Sequence, residues 1–169
     1  FESDVDLYLS ALDYDDFSQF FNIRTNLSKA FSFKQNISFL IGLDGGFRIG
    51  NNNITSLNFG LGGYSYNLPN NYFNLFGYDF FSLSGNSFIK ANFVADYEFI
   101  KRHHLNLSGN FSNIGNNIFL SGDWLKIPTY NGYALGYGLE TLFGPIELKY
   151  HWSVKNKFNG FFINLGYWF

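Results

Sequence analysis

Apolar and polar side chains alternate along most of this chain. In the last segment Phe161, Ile163, Leu165, Tyr167 and Phe169 alternate with Phe162, Asn164, Gly166 and Trp168. A period of two with apolar groups on one face is a β-strand with one greasy side. The pattern recurs in 4–12, 19–33, 36–48, 88–100, 104–112, 132–142 and 145–153. In 36–48, for example, Ile37, Phe39, Ile41, Leu43 and Phe47 oppose Ser38, Gly42, Asp44 and Arg48. In 19–33, Lys29 interrupts the greasy face, which predicts a bulge or a side chain that snorkels to an interface. The reading is all-β and antiparallel, with about eight strands, each near the ~9–11 residues that a tilted strand uses to cross a bilayer.

The connections sort by side. Tight turns fall at 33–36, 100–103 and 143–145 and alternate with longer connections at 13–18, 49–87, 113–131 and 154–159. A transmembrane β-barrel has short turns at one rim and long loops at the other, whereas a soluble meander has no reason to sort them. Composition agrees. Aromatics make up 22% of residues and charged side chains 14%, against roughly 25% charged in an ordinary soluble domain. Mean hydropathy is nevertheless −0.08, as expected when lipid-facing and lumen-facing residues alternate. A soluble β-sandwich or lipocalin-like barrel is the competing fold, and such folds rarely place so many Phe on one face. A net charge of −2 argues against a nucleic-acid surface. With no cysteine there is no disulfide framework or thiolate metal site. The chain starts at Phe1 with no signal peptide, so it is expected to be a processed product or part of something longer.

Residues 49–87 are too long for a plain turn and carry Tyr64, Tyr66, Tyr72, Phe73, Phe76, Tyr78, Phe80 and Phe81. Those rings predict a packed segment, folded back into a lumen or forming a two-stranded hairpin capped by aromatics. Tyr97, Tyr133, Tyr150, Trp152 and Trp168 fall near strand ends and are read as an interface girdle. Arg48, Asp96, Glu98, Glu140 and Lys149 share the polar parity and are read as charges lining the lumen.

Catalytic chemistry is thin. There is no Gly-x-Ser-x-Gly elbow, and Asp44-Gly45-Gly46 without a nucleophile has no mechanism. His103 and His104 beside Lys101 and Arg102 lack further ligands at metal-binding spacing and read as a basic turn near anionic headgroups. No cofactor is expected.

Gly136-Tyr137-Gly138, the turn Phe143-Gly144-Pro145-Ile146, the strand from Glu147 to Trp152 and the aromatic end Gly166-Tyr167-Trp168-Phe169 resemble the end of the bacterial surface-antigen barrel superfamily. That superfamily includes barrel-assembly insertases, two-partner secretion transporters and patatin-like phospholipases with a C-terminal barrel. The resemblance implies that these strands are the C-terminal half of a sixteen-stranded barrel, with 49–87 as the lumen-inserted loop. It implies that Phe161, Ile163, Leu165, Tyr167 and Phe169 form the assembly signal. It also makes Phe76-Gly77-Tyr78-Asp79 the loop tip. That run, with Phe80 and Leu83-Ser84-Gly85-Asn86, is most similar to the patatin-linked branch. The superfamily's tip usually carries an Arg before the Gly, held by an acidic residue in a later strand. Phe76 stands at the first position, and Asn113, in Phe111-Ser112-Asn113-Ile114-Gly115, at the second.

The expectation is a non-catalytic outer-membrane barrel segment that anchors an upstream domain, which the resemblance implies is patatin-like. A self-contained eight-stranded barrel and an insertion or translocation barrel are the alternatives. Implied partners are outer-membrane lipid, the barrel-assembly machinery, and further strands from a larger barrel or another chain.

Overall fold

The computed structural model describes residues 2–10, 20–50, 55–65, 68 and 71–166. In chain order the strands are β1 (Glu2–Ser10), β2 (Phe20–Lys34), β3 (Ile37–Gly50), three short strands β4 (Phe59–Leu61), β5 (Tyr72–Phe73) and β6 (Leu83–Gly85), then β7 (Ser87–Ile100), β8 (His103–Gly115), β9 (Tyr130–Thr141), β10 (Gly144–Trp152) and β11 (Asn159–Leu165). One four-residue helix, α1 (Ile118–Ser121), lies between β8 and β9.

The long strands form one eight-stranded antiparallel sheet, in the order β1-β2-β3-β7-β8-β9-β10-β11. β1 and β11 are its edges and, among the described residues, do not pair with each other. Strict alternation along each strand becomes continuous rows across the sheet. One apolar row runs Phe31, Phe39, Ala95, Leu107, Leu135, Tyr150, Phe161 through seven strands. The next runs Ile37, Tyr97, Leu105, Tyr137, Leu148, Ile163. Most of these large outward side chains are exposed. On the other face Asp44, Lys90, Asn110, Lys149 and His151 are buried. A soluble sheet hides its apolar face and wets its polar one; this sheet does the reverse, as a barrel wall in lipid must.

Connections at one rim are two-residue turns at 35–36, 101–102 and 142–143. The last falls one residue earlier than the 143–145 turn expected from sequence, because Gly144 and Pro145 already pair with Thr141 and Glu140. The register shifts lie beside turns, at Ser32/Lys34 and Glu98/Ile100. Lys29 stays in register opposite Ile41, so no bulge forms there. Its ammonium lies 5.2 Å from the Phe31 ring instead. At the opposite rim the connections are long.

The connection 51–86 carries a three-stranded sheet in the order β5-β4-β6. Phe59, Leu61, Leu75 and Tyr78 from this connection form a hydrophobic core with Phe88 of the wall, and Phe73, Leu83, Ile114 and Tyr130 pack around it. This unit lies against the polar face of the large sheet and is called the plug below.

Candidate functional site

The plug meets the wall through its tip, Phe76-Gly77. Phe76 N–H donates to Asn110 Oδ1 of β8 at 3.3 Å, and Gly77 N–H donates to His151 Nδ1 of β10 at 3.0 Å. His151 therefore carries no proton on Nδ1 in this arrangement. Asn156 Nδ2 donates to Gly77 O at 3.1 Å, and Ser153 Oγ donates to Tyr78 Oη at 3.3 Å.

Two glycines make this approach possible. Gly77 has φ +73°, and a Cβ there would strike the backbone of Trp152 and Ser153. On β9, a Cβ at Gly132 would strike the Phe76 carbonyl. Backbone touches backbone on both sides of the tip, a contact only glycine permits.

A ring stack with a cation flanks the tip. Tyr64 lies 4.9 Å from Phe76 and 4.7 Å, edge-on, from Phe162 of β11. Lys149 donates to Tyr64 Oη at 3.0 Å, pairs with Glu147 at 2.8 Å, and sits 5.8 Å from the Phe76 ring. A buried ammonium held by a carboxylate, a phenol and ring faces has its charge met on several sides.

A second anchor lies on β3 and β7. Lys90 pairs with Asp44 at 2.8 Å and donates to the plug carbonyl of Asn74 at 3.0 Å. Asp44 also accepts from Asn92 at 2.7 Å and from Asn26. Higher up, Arg48 donates to Asn22 of β2 at 2.9 Å and to Asn58 at 3.2 Å. Between the plug and the wall is an open cavity of about 440 Å³, lined by Asp44, Lys90, Asn92, Asn110, Phe76 and Lys149 among others.

The expected lumen charges therefore separate by what they touch. Arg48 and Lys149 lie under the plug. Asp96, Glu98 and Glu140 lie near the tight-turn rim, where His104 Nδ1 is 2.7 Å from Asp96 and Nε2 is 3.6 Å from Glu140. Glu98 Oε1 accepts from Arg102 N–H at 2.8 Å, closing the turn. Parity gives the face of a residue but not its height. Asn110, Gly132, His151 and Ser153, which hold the tip, were not singled out as its partners from sequence. Glycines at polar-parity positions opposite a long aromatic loop were the available signal. Among the described residues no three His, Cys, Asp or Glu stand together as a metal site.

The expected girdle residues separate likewise. Tyr133, Tyr150, Trp152 and Phe161 cluster toward the long-loop rim, with Tyr150 and Trp152 stacked at 5.6 Å and Tyr133 and Trp152 at 6.1 Å. Tyr97 lies toward the tight-turn rim. There Phe99, His103 and Tyr137 cluster, and His103 Nδ1 is 2.6 Å from Tyr137 Oη. From His103 to Phe111 on β8 is eight residues, roughly 27 Å along the strand, or about 20 Å of depth at the ~40° tilt of such barrels, which falls within their ~25 Å apolar band.

Residues 1–169, the whole chain, match the family model of the OMP85 superfamily. The chain belongs to the OMP85 superfamily. It is an outer-membrane β-barrel domain of the bacterial outer membrane. Comparison with curated proteins gives no match.

In this OMP85-superfamily barrel Phe76 and Asn113, the two residues that the resemblance sets against the superfamily's usual Arg and acid, do not meet. Phe76 is in the lumen. Asn113 keeps the outward parity of Leu105 and Leu107, because β8 runs in unbroken register with β7 from His104 to Gly115. Asn113 instead donates to the carbonyls of Asp123 and Lys126 and accepts from Thr129 N–H at 2.8 Å. The cation beside the tip comes from the wall, as Lys149. In the segment expected to act as an assembly signal, Phe161, Ile163 and Leu165 are exposed on the outer face of edge strand β11. Tyr167, Trp168 and Phe169 lie outside the described residues.

Proposed function

We propose that this OMP85-superfamily barrel is a static, non-catalytic anchor, the C-terminal half of a larger barrel that holds an upstream, patatin-like hydrolase domain at the outer membrane. The observation that carries the static reading is the tip clamp. Phe76-Gly77 is bonded to β8 and β10 and touches the backbone of β9, so three consecutive strands are tied to one plug. A machine that opens its wall would have to break these contacts together.

The larger-barrel reading rests on volume. An eight-stranded barrel has an interior just wide enough for its own side chains. Here the inner face carries a unit with its own core, so eight strands closing on themselves would leave it no room. Edges β1 and β11 would then be satisfied by further strands, since unpaired backbone groups are not tolerated in lipid. The patatin-linked reading rests on the run from Phe76 to Asn86, in which Gly77 takes the positive φ and Leu83–Gly85 forms β6.

The experiment is the intact mass of the mature protein extracted from membranes, with a phospholipase assay on the same material. The expected result is a mass several times 19.4 kDa with lipase activity. A mass near 19.4 kDa would overturn the anchor reading. A large mass with no lipase activity would overturn the patatin-like part alone.

A further inference from the structure

The connection from β8 to β9 leaves the long-loop rim, where Asn116 and Asn117 share hydrogen bonds with Asn86 at the end of the plug connection, and then turns to the outer face. Ile118 N–H donates to Ser87 Oγ at 2.9 Å, and Ser87 has the outward parity of β7. The three bonds of outward-facing Asn113 tie residues 123, 126 and 129 to the same side. Together they fold 116–129 down over the outer face. Phe119 meets Phe47 of the outer wall edge-on at 5.7 Å and lies 5.8 Å from Trp124.

This connection builds no core of its own beyond Ile118. Leu120 is 89% exposed, Leu125 73% and Ile127 88%. Between α1 and the wall lies a crevice of about 380 Å³, whose lining joins Phe47, Ile49, Phe119 and Leu120 to Ser87, Asn117 and part of Arg48. Large apolar side chains set this close together, beside an apolar crevice, mark a surface that something covers.

We propose that residues 116–129 form a foot resting in the outer leaflet of the membrane and that the crevice holds an acyl chain of an outer-leaflet lipid. Continuity names the occupant. Phe47 and Ile49 belong to the same outward face as Ile41 and Leu43, which lipid already covers along the wall. The crevice is the upper end of that surface. Charge agrees: Lys126 is 72% exposed at the side chain, at the level of lipid headgroups, and pairs with Asp123 at 2.5 Å. A foot of this kind has apolar residues toward the acyl boundary and a cation toward the headgroups.

These 169 residues contain no cysteine; any cysteine elsewhere in the full-length protein is first replaced by serine, so that single-cysteine variants label cleanly. The full-length protein, labelled with bimane at Leu120→Cys or Ile127→Cys, is placed in phosphatidylcholine vesicles with brominated acyl chains. Both labels are expected to lose fluorescence as steeply as one at Leu107→Cys in the wall, and more with bromines near the headgroup than near the chain end. A label at Glu140→Cys, at the opposite rim, keeps its fluorescence. Labels at Leu120→Cys and Ile127→Cys that behave like Glu140→Cys would overturn the foot. So would labels insensitive to the brominated lipids that transfer energy between copies and lose that transfer on dilution with unlabelled protein, since a second copy would then cover the patch. For the crevice, Ile49→Trp fills the space, and native mass spectrometry is expected to show one fewer retained lipid. An unchanged lipid count would overturn the acyl-chain site.

Discussion

Two long connections leave the same rim of the sheet and turn to opposite faces, and they solve the burial problem differently. Residues 51–86 fold against a polar wall of Asp44, Lys90, Asn110, Lys149 and His151. That wall offers little apolar surface to pack on, so the plug brings its own core: Phe59, Leu61 and Leu75 are fully buried there. It meets the wall through backbone groups, through hydrogen bonds from Lys90 and Lys149, and through Phe88, among the described residues the one large wall side chain buried in its core. Residues 116–129 fold over an apolar wall and bury only Ile118, leaving Leu120, Leu125 and Ile127 outside. Both segments are rich in apolar residues. The difference teaches that the face beneath a loop, more than its composition, decides whether it must form a core. A loop over a polar lumen must be self-sufficient, and a loop over a lipid-facing wall can leave its burial to the membrane.

The largest effect that would separate the two is expected at Lys90. Lys90→Met leaves the Asp44 carboxylate buried without its cation and removes the bond to Asn74. Breaking a buried pair from one side costs about 3–5 kcal/mol. Urea unfolding in vesicles should show that loss, and Lys90→Met with Asp44→Leu should recover much of it. A bimane label at Leu120→Cys should not respond. If it does, the two connections are coupled and the contrast between them fails.

Next in size is Gly77→Val. The positive φ and the collision with the Trp152–Ser153 backbone together cost about 3 kcal/mol, enough to lift the tip from β10. Proteolysis of intact protein should then cut within 55–86 where the parent resists. Retained resistance would mean that the tip bonds to Asn110 and His151 do not hold the plug.

Most of the wall could be read from sequence, because lipid on one side and a polar lumen on the other enforce a period of two. The row from Phe31 to Phe161 is that rule applied across seven strands. The reading weakened where height or backbone contact mattered. Arg48 and Glu98 share a face but stand at opposite rims, and alternation carries no information about height. The tip clamp depends on Gly132 and Gly77 meeting backbone, which leaves no side-chain pattern. Asn113 was matched by motif to the loop tip, yet its outward parity was the stronger signal. An unbroken register keeps it outside, where the foot supplies its partners.

Asn113→Leu tests the foot directly. It removes three hydrogen bonds to residues 123, 126 and 129, and the loss of a partly exposed network of this kind is about 1–2 kcal/mol. Hydrogen exchange should rise over 117–129 and stay unchanged over 59–85. Equal change in both would mean that the rim unfolds as one unit.

The smallest expected effect is a pH response confined to the foot. Lys126 and then Ser121, both bonded to the Asp123 carboxylate, hold its pKa below the ordinary 3.8. A carboxyl whose folded-state pKa is lowered stabilises the fold above its unfolded value, and that contribution is lost as pH falls through the lowered one. The local bonds around Asp123 should therefore be intact at neutral pH and loosen only in acid, beginning below 3.8. Because Asp123 lies at the surface, the change should be slight and screened by salt. Exchange at 121–126, followed from pH 6 to pH 3, is the measurement. Asp123→Asn should abolish the pH step while leaving the plug's exchange as it was. A step that persists in Asp123→Asn would move its source away from this pair and remove the one titrating contact ascribed to the foot.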